Sequence, residues 1–527
     1  MNKITKIIAA SATMFLIACG TQGQDQVQVQ PTAPDDITVS NATQTHFPTG
    51  EVVFAQAATI PTLDPHGVND SVSNESQNQI FETLTTFDAD GNVVPHLAQS
   101  FSAVGDTTWE FVLRQNVTFH DGEPFNSYAV YRSLSRVLDP YFASPRRFIV
   151  DMIESLEIID DYTIHMNTYF PFSPLPAHLA HLVGGIISPA SIDRELAGGS
   201  TISEHPIGTG PFVFQSHEGD EMVMVRNENY WGNMPQFDTL RFVVVPEAST
   251  RLNMLFTGEA HATRPSAADV VFIRQDDNLG LIEIPSSRLN YIGFNLQHPP
   301  FDDIRVRQAM AMVVDLDDIV EAAIDGLGIP AFGPLSPIVT GAPSDLTTIT
   351  GTVDDAIALL AEAGFSDGFE TVISVGAGRQ DEVITAQIFQ ANLATIGITA
   401  RINEIEWGSF LDYTAVGNHE IFLLGWTSVT GDADYGLFPL FHTDQFGGPG
   451  NRTFYSNPRV DYLLEAARMN PDQEARNYMY AEVSQILAYE VPMIYTFHNT
   501  FVFGTNGIEG LFADFNGTPN FAGVVIN

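Results

Sequence analysis

Two adjacent arginines, Arg146 and Arg147, stand out in a chain of 527 residues whose formal charge is −42. A guanidinium presents a planar fork that matches both oxygens of a carboxylate, so the pair makes a local anion site on an otherwise anion-repelling surface. Asp432 and Asp434 are spaced as a pair of carboxylates that acid–base chemistry would use, but two acids among 64 are unremarkable. His178 and His181, three apart, would share a helix face. No third metal ligand stands near them, so surface or packing roles are expected. No G-x-S-x-G elbow, Walker loop, H-E-x-x-H pair or dinucleotide fingerprint occurs. The expectation is a protein without catalytic chemistry and without a cofactor.

The one remaining chemical signal is the chain's single cysteine, Cys19. Lys3 and Lys6 precede a mostly apolar stretch, Ile7–Ile17, about half the ~20 residues a membrane-spanning helix needs. It ends in Leu16-Ile17-Ala18-Cys19-Gly20, which resembles the bacterial lipobox, where a cysteine thiol accepts a diacylglycerol. Residues 1–18 then read as a lipoprotein signal peptide, and 19–48, rich in Gln, Thr, Pro and Asp, as a flexible tether. This places the protein at the cell membrane, lipid-anchored on its extracytoplasmic face. A lone cysteine also excludes an intrachain disulfide and a Cys-based zinc site.

Composition narrows the class further. With 44% hydrophobic residues the chain is globular, and it is long enough for two or three sizeable cores. From Cys19 onward it carries 20 Arg and no Lys. A guanidinium keeps its charge well above the pH at which an amine loses it, so this surface suits an alkaline or saline medium, with Arg-biased codon usage as the alternative cause. A uniformly acidic exterior repels phosphate backbones and excludes nucleic acid as a partner.

The elements that must position these residues alternate between strand and helix. Strands are expected at Glu51–Ala58, Trp109–Leu113, Leu289–Leu296, Glu370–Val375, Thr399–Glu404, Ile421–Gly425 and Met493–Phe503. Hairpins are expected at 156–166 and 212–226. Helices are expected at Ser76–Leu84, Ser127–Leu138, Val353–Ala363, Glu382–Ile396, Val460–Arg468 and Gln473–Tyr489. Asp302 or Asp303 caps one further helix and Asp317 the next. His120-Asp121-Gly122 is a tight turn. Short loops between alternating elements indicate an α/β fold.

Several of these segments resemble the family 5 extracellular solute-binding proteins of ABC importers. They are Thr62-Leu63-Asp64-Pro65 with Gln79–Leu84, the block WEFVLRQNVTFHDGEPFN at 109–126, RNENYWG at 226–232, YIGFNLQHPPFDDIRVRQAMAMVV at 291–314, and Gly425–Phe441 with Phe454–Asp461. The resemblance implies a two-lobed, type II periplasmic-binding-protein-like fold with an extra subdomain, hinged around a ligand cleft. Lobe I would collect 49–85, 200–285 and 493–527, the subdomain 86–199, and lobe II 286–492. It implies a monomer that captures short peptides or peptide-like solutes for an ABC permease and its ATPase subunits. Glutathione or a nickel–chelator complex is the alternative ligand. A secreted peptidase or adhesion domain, or a signalling receptor without a permease, is the alternative of another class.

The resemblance also proposes ligand contacts. Peptide binders place an Asp three residues after a tryptophan; here Val429 stands in that position after Trp426. Asp434 or Asp432 would serve a ligand ammonium instead, each being equally a candidate helix N-cap. Arg147, with Arg146 beside it, would hold a carboxylate, or else Arg147 pairs with Asp151. Arg379 lies near another arginine position of the family. Trp426, Tyr435 and Asn295 would line the cleft, Trp426 being equally a core residue. Asn227, Tyr230 and Trp231 read as a packed corner, not as ligand contacts.

Overall fold

The described residues of the computed structural model are 50–527; the signal segment, Cys19 and the tether lie outside them. β1 (Glu51–Gln56) opens as an apolar strand with five of six residues buried. α1 (Ser71–Ile80) begins five residues before the helix expected at Ser76–Leu84. Its cap is Asp70, which accepts from the Ser73 N–H at 2.8 Å, and the backbone is extended by Phe81. β2 (Ala98–Ala103), β3 (Thr108–Leu113), β4 (Ile153–Asp160) and β5 (Thr163–Thr168) form a four-stranded sheet of order β2-β3-β5-β4. α2 (Ser127–Leu138) and α3 (Leu175–Ala180) close its core, which includes Phe111, Val130, Leu134, Ile164 and Leu175. The turn at Gly122 has φ +86°, as the His-Asp-Gly sequence requires.

The principal sheet is built from β1 and nine further strands. They are β6 (Phe212–Glu218), β7 (Glu221–Arg226), β8 (Thr239–Val244), β9 (Ala262–Thr263), β10 (Leu279–Phe294), β11 (Glu370–Gly376), β12 (Thr399–Ile405), β13 (Ile421–Thr427) and β14 (Met493–Asn506). Their order is β12-β11-β13-β10-β14-β9-β1-β8-β7-β6, with Gly328–Pro330 pairing with β14 off this path. α4 (Gln380–Ala394), α5 (Trp407–Ala415), α6 (Ala433–Phe441), α7 (Pro458–Met469) and α8 (Gln473–Glu490) surround the β11–β13 half. Asp303 caps Ile304–Met312, and Asp315, not Asp317, caps Leu316–Ile324.

The two long strands explain the two lobes. β10 and β14 are antiparallel along most of their length. One half of this ribbon, Leu279–Pro285 against Thr500–Asn506, runs beside β9; the other half, Arg288–Phe294, pairs with β13. Between them, at Pro285–Leu289, the register shifts. Separate cores lie on either side. Val52, Phe54, Leu240, Phe242 and Phe503 pack in one lobe. In the other, Tyr291, Phe422 and Leu437 fill one face of the sheet, and Ile292, Ile421 and Phe389 fill the opposite face, as strand alternation dictates. Among the described residues no helix is long and apolar enough to cross a membrane.

Candidate functional site

In an open parallel sheet the crevice for a ligand forms where loops leave neighbouring strand ends in opposite directions. β11 and β13 are such neighbours: they are parallel, β11 leads into α4 and on to β12 at one side, and β13 leads into α6. The loop after β11 carries Arg379. The loop after β13 carries Gly431 and Asp432, with Trp426 at the strand's end and Asp434 in the first turn of α6. Gly431 is left-handed, φ +64°, and a side chain there would strike the Phe515 ring.

Both aspartates already have partners within the protein, the ion pairs that a ligand ammonium would have to share. Asp432 caps α6, accepting from the Asp434 N–H at 2.9 Å, and takes Arg476 Nη2 of α8 at 2.6 Å. The N-cap alternative therefore describes Asp432. Asp434 is fully buried and receives both arms of Arg468 from α7, Nε at 2.9 Å and Nη2 at 3.0 Å. This is a bidentate pair, the geometry in which a guanidinium binds a carboxylate most strongly.

Arg468 stands where the two halves of the crevice meet. Its guanidinium lies 3.4 Å from the ring centroid of Phe438 and 5.4 Å from that of Phe172, and its carbonyl accepts from the Ser173 N–H at 2.7 Å. Nearby, the Trp426 and Tyr435 rings stack at 5.5 Å, and the indole N–H donates to the Tyr435 carbonyl at 2.9 Å. Across the crevice His178 of α3 presents its ring edge-on to Tyr435 at 6.0 Å. His178 is buried, which lowers its pKa and keeps it neutral. Its Nδ1 lies 2.6 Å from the Ile149 carbonyl, which only accepts, so Nδ1 carries the proton. Nε2 is a buried acceptor without a partner.

Arg146 and Arg147 have opposite fates. Arg146 is fully buried and donates to the Pro65 carbonyl at 2.5 Å and to Asn74 Oδ1; burial lowers its pKa to about 10. It fastens the loop after β1 and is not available to a ligand. Arg147 is half-buried and opens the short turn Arg147–Ile149; its guanidinium makes no hydrogen bond or ion pair within 4 Å among the described residues. The acid facing it is Asp151, whose pKa burial raises while Arg147 and Arg468 pull it down. Both arginines therefore act on this one carboxylate, though neither pairs with it within 4 Å among the described residues.

Arg379 lies on the other flank. Its guanidinium covers the Trp407 ring at 4.3 Å, and its Nε is 3.8 Å from Glu382 Oε1. Asn295 does not belong to the crevice. It follows the far end of β10, and its amide donates to the Gly417 and His419 carbonyls at 2.9 and 3.0 Å. The corner at Asn227, Tyr230 and Trp231 is packed. Tyr230 and Trp231 each donate to the buried Glu82 at 2.8 Å, and Asn227 donates to the Gly210 carbonyl. A cavity of about 610 Å3, walled mainly by apolar residues such as Val313, Ile349 and Tyr495, opens at the start of β14. It has no Arg, Lys or His in its lining and touches none of the crevice residues. Among the described residues no group of three His, Cys, Asp or Glu is placed to hold a metal ion.

Sequence reasoning did not find Arg468, Arg476, Arg288 or Glu382, and passed over His178. Arg468 and Arg476 lie 34 and 44 residues beyond the aspartates they hold, so no local spacing marks them.

Residues 92–448 match the family described as bacterial extracellular solute-binding proteins, family 5. The chain belongs to that family. Its curated relatives include the glutathione-binding protein GsiB of Pectobacterium atrosepticum, 31% identical over 84% of this chain and 88% of the relative. The Salmonella typhi protein of the same name is 32% identical over the same shares. Among solved structures of similar fold is HbpA2 from Haemophilus parasuis, TM-score 0.84 and 29% identity over 90% of this chain and all of that one. Another is the periplasmic binding protein DppA from Helicobacter pylori in complex with the peptide STSA, TM-score 0.74 and 26% identity over 90% and 98%. These structural neighbours are two-lobed periplasmic binding proteins, and this chain shares their fold.

Proposed function

We propose that this chain is the substrate-binding component of an ABC importer. It captures a short peptide or peptide-like solute between its lobes and delivers it to a membrane permease, held at the outer face of the membrane by acylated Cys19. The observation that supports this reading is the cluster of side chains near the ends of β11 and β13. It combines a stacked Trp426–Tyr435 pair, an orphan His178 acceptor and the uncommitted Arg147 guanidinium, in a family whose Helicobacter pylori member is solved with a peptide. The aromatic pair offers apolar faces to the solute, and Arg147 offers a fork to a carboxylate. Binding to both walls favours the closed form, with the β10–β14 ribbon as hinge and the lobes divided as the resemblance implies. No covalent step is involved.

Glutathione is the second reading, favoured by the relatives of that name at 30–32% identity. Mass spectrometry of solute retained on the purified protein separates the readings: a ladder of peptides supports the first and glutathione the second. A metal with a small chelator would refute both. Calorimetry with each solute and small-angle scattering should show binding and compaction together. Turnover of labelled peptides would overturn the receptor reading.

A further inference from the structure

Opposite Thr427, the last residue of β13, stands Arg288 of β10, at the lip of the crevice. Its Nε donates to Asn290 Oδ1 at 3.3 Å, and Asn290 is itself fixed by donating to Asn499 Oδ1 at 2.6 Å. The guanidinium lies over Gly425, where any side chain would overlap Nη2. Arg288 nevertheless has no carboxylate within ion-pair distance among the described residues. Arg136, Arg468 and Arg476, by contrast, are each paired with acid at 2.6–2.9 Å. Burial and the neighbouring Arg379 both disfavour its charge. A desolvated cation of this kind is costly unless an anion joins it.

The acid closest in kind is Glu382, in the first turn of α4. It is 4% exposed, and both carboxyl oxygens are buried without a hydrogen bond. Its nearest cation, Arg379 Nε, is 3.8 Å away, beyond hydrogen-bond reach. Arg379 and Glu382 thus make only a long ion pair without a hydrogen bond, and Arg288 has no acid within 4 Å among the described residues.

We propose that Arg288, with Arg379 beside it, takes an anionic group of the captured solute, and that Glu382 takes up a proton as this anion arrives. This rests on the receptor reading above. The groups facing Glu382 are Arg379 and Asp381 on its own helix, and Arg288 and Tyr291 on β10. Burial raises Glu382 to about 7, the two arginines opposing the shift and Asp381 adding to it. An anion between the arginines screens their pull and adds a like charge, which moves Glu382 further up and draws a proton in at neutral pH. Affinity for that anion is therefore constant below about pH 6 and weakens as the pH rises through 7 and beyond.

Glutathione, trialanine and the C-terminal amide of each are the probes, titrated by calorimetry at pH 6 and 8.5 in two buffers of different ionisation enthalpy. Arg288→Met should weaken a free acid by about tenfold or more and its amide by much less, so that the preference for the acid collapses. Gly425→Ala, which keeps the arginine but displaces it, should do the same. Glu382→Gln should abolish proton uptake and flatten the pH dependence. If wild type binds an acid but Arg288→Met and Gly425→Ala keep its affinity and its advantage over the amide, the inference is overturned and the receptor reading survives. Proton uptake that persists in Glu382→Gln overturns the role given to that residue. If no probe binds wild type, the receptor reading falls and takes the inference with it.

Discussion

Asp434→Asn distinguishes a latch from a ligand contact. In the structure Asp434 accepts Arg468 Nε at 2.9 Å and Nη2 at 3.0 Å, with side-chain exposures of 1% and 18% for the two partners. The asparagine keeps one oxygen for one of these N–H groups and turns its amide N–H2 toward the other, so one charged bond is lost and a donor faces a donor. A charged hydrogen bond contributes about 1.5–3 kcal/mol, and breaking a fully buried pair costs about 3–5 kcal/mol. Arg468 is partly exposed and keeps the Phe438 face, so the first of these two figures is the better guide, about 2–3 kcal/mol. If the surrounding lobe melts as a cooperative unit of roughly 200 residues, its Tm should fall by about 5–10 °C. Calorimetric melting measures this directly, and a double-mutant cycle with Arg468→Met should return a coupling of about 2 kcal/mol. Affinity for solutes with and without a free amine should change in parallel. A melting temperature within about 1 °C of wild type, with affinity lost only for free amines, would refute the reasoning and restore Asp434 as the ammonium site.

Other substitutions separate scaffold from site. Asn295→Ala leaves the His419 carbonyl without its side-chain donor and the Gly417 carbonyl with only His298 Nε2 at 3.2 Å, and should cost about 2 kcal/mol in denaturant titration with solute affinity unchanged; a loss of affinity in the folded variant would return Asn295 to the cleft. Tyr230→Phe removes a 2.8 Å bond to the buried Glu82 carboxylate and should cost about 1.5–3 kcal/mol, again without effect on binding. His66 is fully buried, and burial first, with Arg136 and Arg146 adding to it, lowers its pKa to about 3 against the attraction of Asp64. Its folded form stays neutral while the unfolded chain protonates below about 6.5, so this contribution is complete above that pH and is lost as the pH falls toward 3. Tm measured across pH 3–7 should drop on the acid side, and His66→Gln should flatten that limb; an unchanged limb would show that His66 does not titrate this way.

Where apolar residues set the period, local sequence was a good guide. Ser127–Leu138 forms as expected because Ala129, Val130, Leu134 and Val137 make one apolar face behind the Asn126 cap. The helix ending before Gly364 stops because that glycine is left-handed, φ +96°. α1 was displaced because most of its buried face is polar, Ser73, Glu75, Ser76, Gln77 and Gln79, which hydrophobic periodicity cannot detect. β10 starts ten residues earlier than expected, since Pro285-Ser286-Ser287 reads as a loop but is carried as an irregularity in a continuing strand. The family and the crevice loop were legible from motifs of consecutive residues. The state of each charge was not. Whether an arginine is free or committed depends on partners such as Asn74, Asp434 or Glu382, brought close only by the tertiary fold.

The ribbon of β10 and β14 joins the lobes as a hydrogen-bonded plate, creased where its register shifts between Pro285 and Leu289. Such a plate flexes about one axis and resists sliding or torsion, because those motions would break its ladder. The jaws it carries must return to the same alignment at every stroke. A substitution at Pro285 or Ser286 that alters the curvature of this plate would thus reset the grip on every solute alike, without touching any of them.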